Sequence, residues 1–353
     1  MPGLPRLGAA LLLLLLAAPA RAKAKPDLLK LLDMAPAEEK PVIVRAMGRQ
    51  GKNRYFKPLL KLFDPRRGSP ALNAAIAHAL GDFGDRAAVG PLVDAWDYLL
   101  EAKFKLVTLP PPMQAFRVEV AAALAKFEEA RVLAPLKRAS IDDDPAVVQH
   151  GLAGLARLRQ VDSVGGVVAM LSVPNENIVQ AAYEALGEFK GDPRAEDALR
   201  SCLENCSVLK QVTAAYGLAR LGRKVGSVKL DGWLEENYEV TREGLLAAYY
   251  LLKLRRKEGL DYLLKIVENE KSEFRAPAVQ ALGKAGDERA VPVLIARIPK
   301  EGREMRLLMT QALGRIGGKK AVAELRRLAM DPEESVRGAA KLGLAELGIY
   351  DFG

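Results

Sequence analysis

Apolar positions recur along this chain at helical offsets and at a nearly constant interval. An anchor flanked in most units by small residues stands at Met47, Leu80, Leu124, Leu155, Leu186, Leu218, Leu251, Leu282, Leu313 and Leu344. Eight of the nine spacings fall between 31 and 33, and one is 44. Four residues before the anchors stand Ile43, Ile76, Val120, Gly151, Ala182, Ala214, Ala247, Ala278, Met309 and Ala340. Three residues after come Phe83, Phe127, Leu158, Phe189, Leu221, Leu254, Ile316 and Leu347. These offsets trace one face of an α-helix. The residue just before the anchor is small in nine of ten units, with Tyr250 the exception. Small residues there let a neighbouring helix approach closely.

Four residues after the anchor, Gly51, Gly84, Gly222, Gly286, Gly317 and Gly348 predict helix ends in the left-handed conformation. A second apolar series follows nine and twelve residues after the anchors, including Phe56 and Leu59, Val89 and Leu92, and Val291 and Leu294. Each unit is therefore an αα-hairpin that buries its apolar faces only by stacking on its neighbours. The predicted fold is all-α, a right-handed αα-superhelix (α-solenoid) of about ten repeats. Helices pack about 8–10 Å apart, so ten stacked units predict a rod on the order of 90 Å long.

The segment Ala278-Val-Gln-Ala-Leu-Gly-Lys-Ala-Gly-Asp-Glu-Arg-Ala-Val-Pro-Val-Leu294 resembles the short bacterial HEAT-like repeat of phycobilisome-lyase-type proteins. Asp331-Pro-Glu-Glu-Ser-Val-Arg337-Gly-Ala-Ala340 is similar to that family's loop and first-helix start. The resemblance covers residues 37–353. It implies a solenoid and says little of function, because such repeats serve many scaffolds. Residues 23–36 read as an N-terminal capping helix with Asp27 as its N-cap.

The N-terminus carries Arg6, an apolar run with Leu11 to Leu16, and an A-x-A site at Ala20-Arg21-Ala22. That pattern predicts a signal peptide over 1–22, cleaved near Ala22, and an exported periplasmic or secreted chain. The run is shorter than the ~20 residues a spanning helix needs, and no transmembrane segment is expected. Half of the residues are hydrophobic, which excludes intrinsic disorder. The 53 Lys and Arg against 44 Asp and Glu give a net charge of +9, a mild basic excess.

Candidate chemistry is sparse. With two Cys and two His, a Cys/His zinc site is nearly excluded. His78 and His150 lie on first helices as surface or boundary residues, and no His-Glu pair of the kind that holds iron in the HEAT-like deoxyhypusine hydroxylase exists. Asp142-Asp143-Asp144-Pro145 reads as a polar turn that caps the helix after it. Cys202 and Cys206, spaced i, i+4 at a helix end, are either two small buried hydrophobes or a disulfide in an oxidising compartment. No catalytic residue, metal or cofactor is expected.

Two columns of the repeat are basic. Two residues after the anchors stand Arg49, Lys126, Arg157, Arg220, Lys253, Lys284 and Arg315, where cations complement helix C-termini. Fourteen after the anchors, Lys61, Arg138, Arg200, Lys265 and Arg327 fall on second helices and form a candidate ligand-binding ridge, with Asp94 the one acid. Arg275, Arg306 and Arg337, seven before their anchors, are expected to pair with polar turn residues of adjacent repeats.

The 44-residue spacing holds an insertion at 101–116, where Pro110 to Pro112 are expected to stop the helix and favour an extended run. Its apolar Phe104, Leu106, Val107 and Leu109 either brace the solenoid or form a partner-contact arm. Together these features predict an exported, non-enzymatic scaffold or adaptor that binds a protein or peptide. The second reading is a binder of an anionic polymer or envelope surface through the basic columns. A lyase-like enzyme is a remote third, and nucleic acid is not expected as a partner.

Overall fold

A computed structural model describes residues 27–106, 108–158, 161–235 and 240–349; the predicted signal peptide lies outside them. The described residues hold α-helices, short 3₁₀ turns and no strand. They group into two compact units, residues up to 127 together with those from 319, and residues 128–318.

The first unit contains α1 (Leu28–Met34), α2 (Lys40–Gln50), α3 (Phe56–Leu62), α4 (Pro70–Phe83), α5 (Val89–Leu106) and α6 (Pro111–Leu124), with α19 (Gly318–Leu328) and α20 (Glu334–Glu346) from the end of the chain. The second contains α7 (Leu133–Ala139), α8 (Pro145–Arg157), α9 (Val161–Ala169), α10 (Glu176–Leu186), α11 (Pro193–Asn205), α12 (Val208–Arg220) and α13 (Lys224–Glu235). It continues through α14 (Arg242–Lys253), α15 (Lys257–Glu268), α16 (Arg275–Ala285), α17 (Val291–Arg297) and α18 (Arg303–Ile316). No helix among the described residues is long and apolar enough to cross a membrane.

All ten anchors lie near the ends of first helices, and none is more than 3% exposed. First helices of successive repeats pack side by side, α2 on α4 on α6 in the first unit and α8 through α18 in the second. Small residues set their separation. A Cβ added to Gly81 would stand 2.8 Å from the Ala123 Cα, and one on Gly187 2.9 Å from the Gly217 Cα. The residue after one anchor therefore meets the residue before the next.

Helix ends follow local chemistry. Gly51 and Gly286 close α2 and α16 with φ of 59° and 67°, and the other four glycines of that series also have positive φ. In the repeat of Leu251 the same place is held by Arg255, at φ 61°. Asp27 accepts from the Leu29 N–H at the start of α1, and Asp144 from Ala146 and Val147 at the start of α8. Of the arginines seven before an anchor, Arg275 donates to the Val267 carbonyl at 3.0 Å and pairs with Glu301. Arg337 donates to the carbonyls of Asp331 and Pro332 at 2.7 and 2.6 Å.

Two expectations are corrected. The insertion does not run as an extended proline segment. The helix of the second repeat continues through it to Leu106, and Pro110 to Pro112 open α6 instead of ending α5. Proline lacks only an N–H that the first turn leaves free anyway. The first and last repeats are also not held a rod's length apart, because α20 packs on α2 within the first unit. Arg49 reaches Glu346 across that junction at 3.4 Å.

Candidate functional site

The first helices of the second unit carry the most distinctive surface. Their C-terminal ends frame an open groove of about 790 Å³ beside Ala153, Arg157, Glu188, Lys190, Asp192 and Arg220. Its floor is the end of α8, α10 and α12 and the turn that leads into α11. That turn is fixed by Asp192, which caps α11 through the Arg194 N–H and takes the Arg194 guanidinium at 2.7 Å. Those bonds from Arg194 hold the Asp192 carboxyl below its usual range. Arg220 pairs with Glu188 across adjacent repeats.

Arg220 also lies 5.7 Å over the Tyr216 ring and so joins the groove to an aromatic cluster. Tyr216 and Tyr250 stack with centroids 4.2 Å apart and planes 8° from parallel. The Lys253 ammonium lies 4.9 Å from the Tyr216 centroid and 5.5 Å from that of Tyr249. Beneath it Glu184 accepts from Lys253 at 3.2 Å and from the Tyr250 hydroxyl at 2.9 Å, while Gln180 donates to Tyr250 at 3.0 Å. Burial pushes the Tyr250 hydroxyl well above its ordinary pKa, and the Glu184 charge adds to this. Burial pulls the Lys253 ammonium down, but Glu184 and the flanking tyrosines outweigh it, so the lysine stays charged over a wider range than usual. Tyr250 is the one bulky residue in the column of small residues before the anchors. That irregularity was the sequence signal for a cluster that residue spacing alone did not point to.

The basic column two after the anchors is largely a ladder of ion pairs. Besides Arg220–Glu188 and Arg49–Glu346, Lys126 meets Asp82 at 2.5 Å and Lys253 meets Glu184. His78 sits between Glu119 at 2.9 Å and Asp82 at 3.3 Å. No group of three or more His, Cys, Asp or Glu side chains among the described residues is placed to hold a metal ion.

The five residues of the candidate ridge are exposed and are divided between the two units. Lys61 and Arg327 belong to the first unit and Arg138, Arg200 and Lys265 to the second. In the second unit they alternate along the repeats with Ala169, Gly232 and Ala296. Arg200 pairs with Glu196 at 2.8 Å and Arg327 with Glu324 at 2.5 Å. In the insertion, Phe104 and Leu106 are 91% and 52% exposed, whereas Leu109 is only 7% exposed. Leu109 is thus a packing residue and not a partner contact, because it turns inward where α6 begins. Cys202 and Cys206 are bridged in the structure, with Cα atoms 4.8 Å apart, and Tyr183 places its hydroxyl 3.2 Å from the Cys206 sulfur. Cys206 is the extended C-cap that ends α11.

Among solved structures, human deoxyhypusine hydroxylase in complex with glycerol is 21% identical, with 74% of this chain and 99% of that one covered and a TM-score of 0.39. The CpcE–CpcF complex of phycocyanin lyase from Nostoc sp. is 16% identical over 69% and 95%, with a TM-score of 0.43. An engineered protein is 19% identical over 91% and 98%, with a TM-score of 0.35. At such scores no property of these proteins transfers to this chain. No curated protein matches it in sequence. The family model described as HEAT repeats matches residues 142–219 and 233–306. Those two segments are HEAT repeats, and the chain folds as an all-α solenoid.

Proposed function

We propose that this protein is an exported, non-enzymatic scaffold whose second unit docks a protein or peptide segment in the groove at the ends of α8, α10 and α12. The observation that carries this reading is the groove itself. It is open, lined by side chains of both signs, and continuous through Arg220 with a cluster of three tyrosines. Tyrosine and arginine are the side chains on which interface energy concentrates. The charged residues that line the groove suit a segment with alternating charges more than a uniformly charged polymer. Export rests on the signal-like pattern of residues 1–22, and the Cys202–Cys206 bridge fits an oxidising compartment.

A crosslinking pull-down from the envelope fraction, read by mass spectrometry, tests the docking. Ala153→Trp fills the groove from a half-buried position, and Lys190→Glu reverses one of its charges. Both are expected to lose the captured partner while the unfolding midpoint stays in place. Capture of the same partner by both variants would overturn the groove as the site. Sequencing the N-terminus of the purified protein tests export, and a chain still starting at Met1 would refute it.

A further inference from the structure

A second surface, on the first unit, has no part in that groove. Between Lys52 and Arg67 the chain carries six basic residues, Lys52, Arg54, Lys57, Lys61, Arg66 and Arg67, against one acid, Asp64. All six are exposed. Asp64 is occupied locally, since its side chain accepts from the backbone N–H groups of Arg66 and Arg67 at 3.1 Å. Arg54 lies 3.5 Å from Asp27, but Lys52, Lys57, Lys61 and Arg67 form no ion pair with any described residue. On α3, Lys57 and Lys61 are one turn apart and share a face.

Arg66 connects this segment to the two extra turns of α5. Its guanidinium lies 5.3 Å over the Tyr98 ring. One turn further, the Glu101 carboxyl is held below its usual range, first by Lys105 and also by Arg66. Beyond Glu101 comes Lys103-Phe104-Lys105-Leu106, where Phe104 is almost wholly exposed and Leu106 half exposed. Nothing in the fold calls for an aromatic ring in water at the tip of a helix that the repeat pattern does not require. Packing demand is met three residues after Leu106 by the buried Leu109.

We propose that the first unit docks on an anionic phospholipid bilayer surface, with the Lys52–Arg67 segment on the headgroup phosphates and Phe104 and Leu106 inserted at the interface. Clusters of four to eight Lys and Arg adsorb to anionic lipid. An exposed aromatic and a leucine between lysines add the apolar burial that a soluble polyanion would not reward. The inference does not rest on the groove of the second unit.

The test is cosedimentation of the full chain with vesicles of equal parts phosphatidylglycerol and phosphatidylcholine, and with phosphatidylcholine alone. Binding is expected only to the first, weakening steeply as salt rises from about 0.05 to about 0.5 M and the screening length shortens. Each basic residue near the surface contributes about five-fold, so Lys52→Gln/Lys57→Gln/Lys61→Gln should lower partition on the order of a hundred-fold. Phe104→Ser should lower it about ten-fold. All variants share one N-terminus, so differences between them report the patch, and circular dichroism melting checks that each is folded. Equal binding to both vesicle types, or partition unmoved by either variant, would overturn the proposal. So would retention on soluble polyphosphate that matches the vesicles and is indifferent to Phe104→Ser.

Discussion

Two glycines with the same side chain do opposite work in this molecule. Gly81 is buried, and any Cβ there would press on the backbone of α6 at 2.8 Å. Gly81→Ala is expected to destabilise by about 1–3 kcal/mol through overpacking, reduced by the gain in helix propensity. Gly165, in the middle of α9, is exposed, and an added Cβ meets nothing within 4 Å. Gly165→Ala should therefore stabilise by up to about 1 kcal/mol. Urea unfolding of both variants checks the pair, and midpoints shifting in the same direction would contradict the close-approach account. Tyr250 gives a third test at this scale. Tyr250→Phe keeps the stack on Tyr216 but leaves Glu184 and Gln180 without the buried hydroxyl, a loss expected to cost about 1–3 kcal/mol.

Helix starts in this protein repeat a short device in which an aspartate caps the turn and is clamped by an arginine two residues on. Asp287 accepts the Arg289 N–H and takes its guanidinium at 2.7 Å, as Asp192 does with Arg194. The Arg289 hydrogen bonds lower the Asp287 pKa most, with the Arg289 and Arg255 charges adding. A depressed carboxyl contributes its stability in full above the ordinary Asp value of about 3.9, and loses it as pH falls through the folded pKa. Asp287→Asn should thus be less stable than the wild type near neutral pH and converge on it below about pH 4. Melting midpoints measured across that range show whether the two curves meet. These helices were legible in the sequence because the anchor period, the small flanking residues and the capping glycines all belong to nearest-neighbour packing, which every repeat must satisfy. The insertion was misread because a proline that stops one helix and a proline that opens the next look alike in sequence. The groove was missed because its walls, Arg157, Arg220 and Glu188, occupy positions that also serve helix ends and inter-repeat pairs. Only the bulk of Tyr250 in a column of small residues marked the place.

At the largest scale α20 packs on α2 within the first unit. The first unit is assembled from residues far apart in sequence, whereas the second is one continuous stretch. Helix α2 is covered on one side by α4 and on the other by α20, and Ala46 and Ala345, each beside an anchor, are fully buried. By the register used between consecutive repeats, the residue after one anchor meets the residue before the next, and Ala345 and Ala46 hold those two places. The Gln50 side chain also comes within 2.7 Å of where a Cβ on Gly348 would stand. A repeat period records how neighbours pack and not which repeats become neighbours, so this junction could not be read from spacing. If it is a true repeat interface, a chain stopped at Pro332 uncovers the outer face of α2, and repeats at an uncovered end fray first. Hydrogen exchange of that truncated chain should then show lost protection in α2 and α4 and unchanged protection in α12 and α14. Protection of α2 equal to that in the full chain would mean that α20 rests on the first repeat without supporting it.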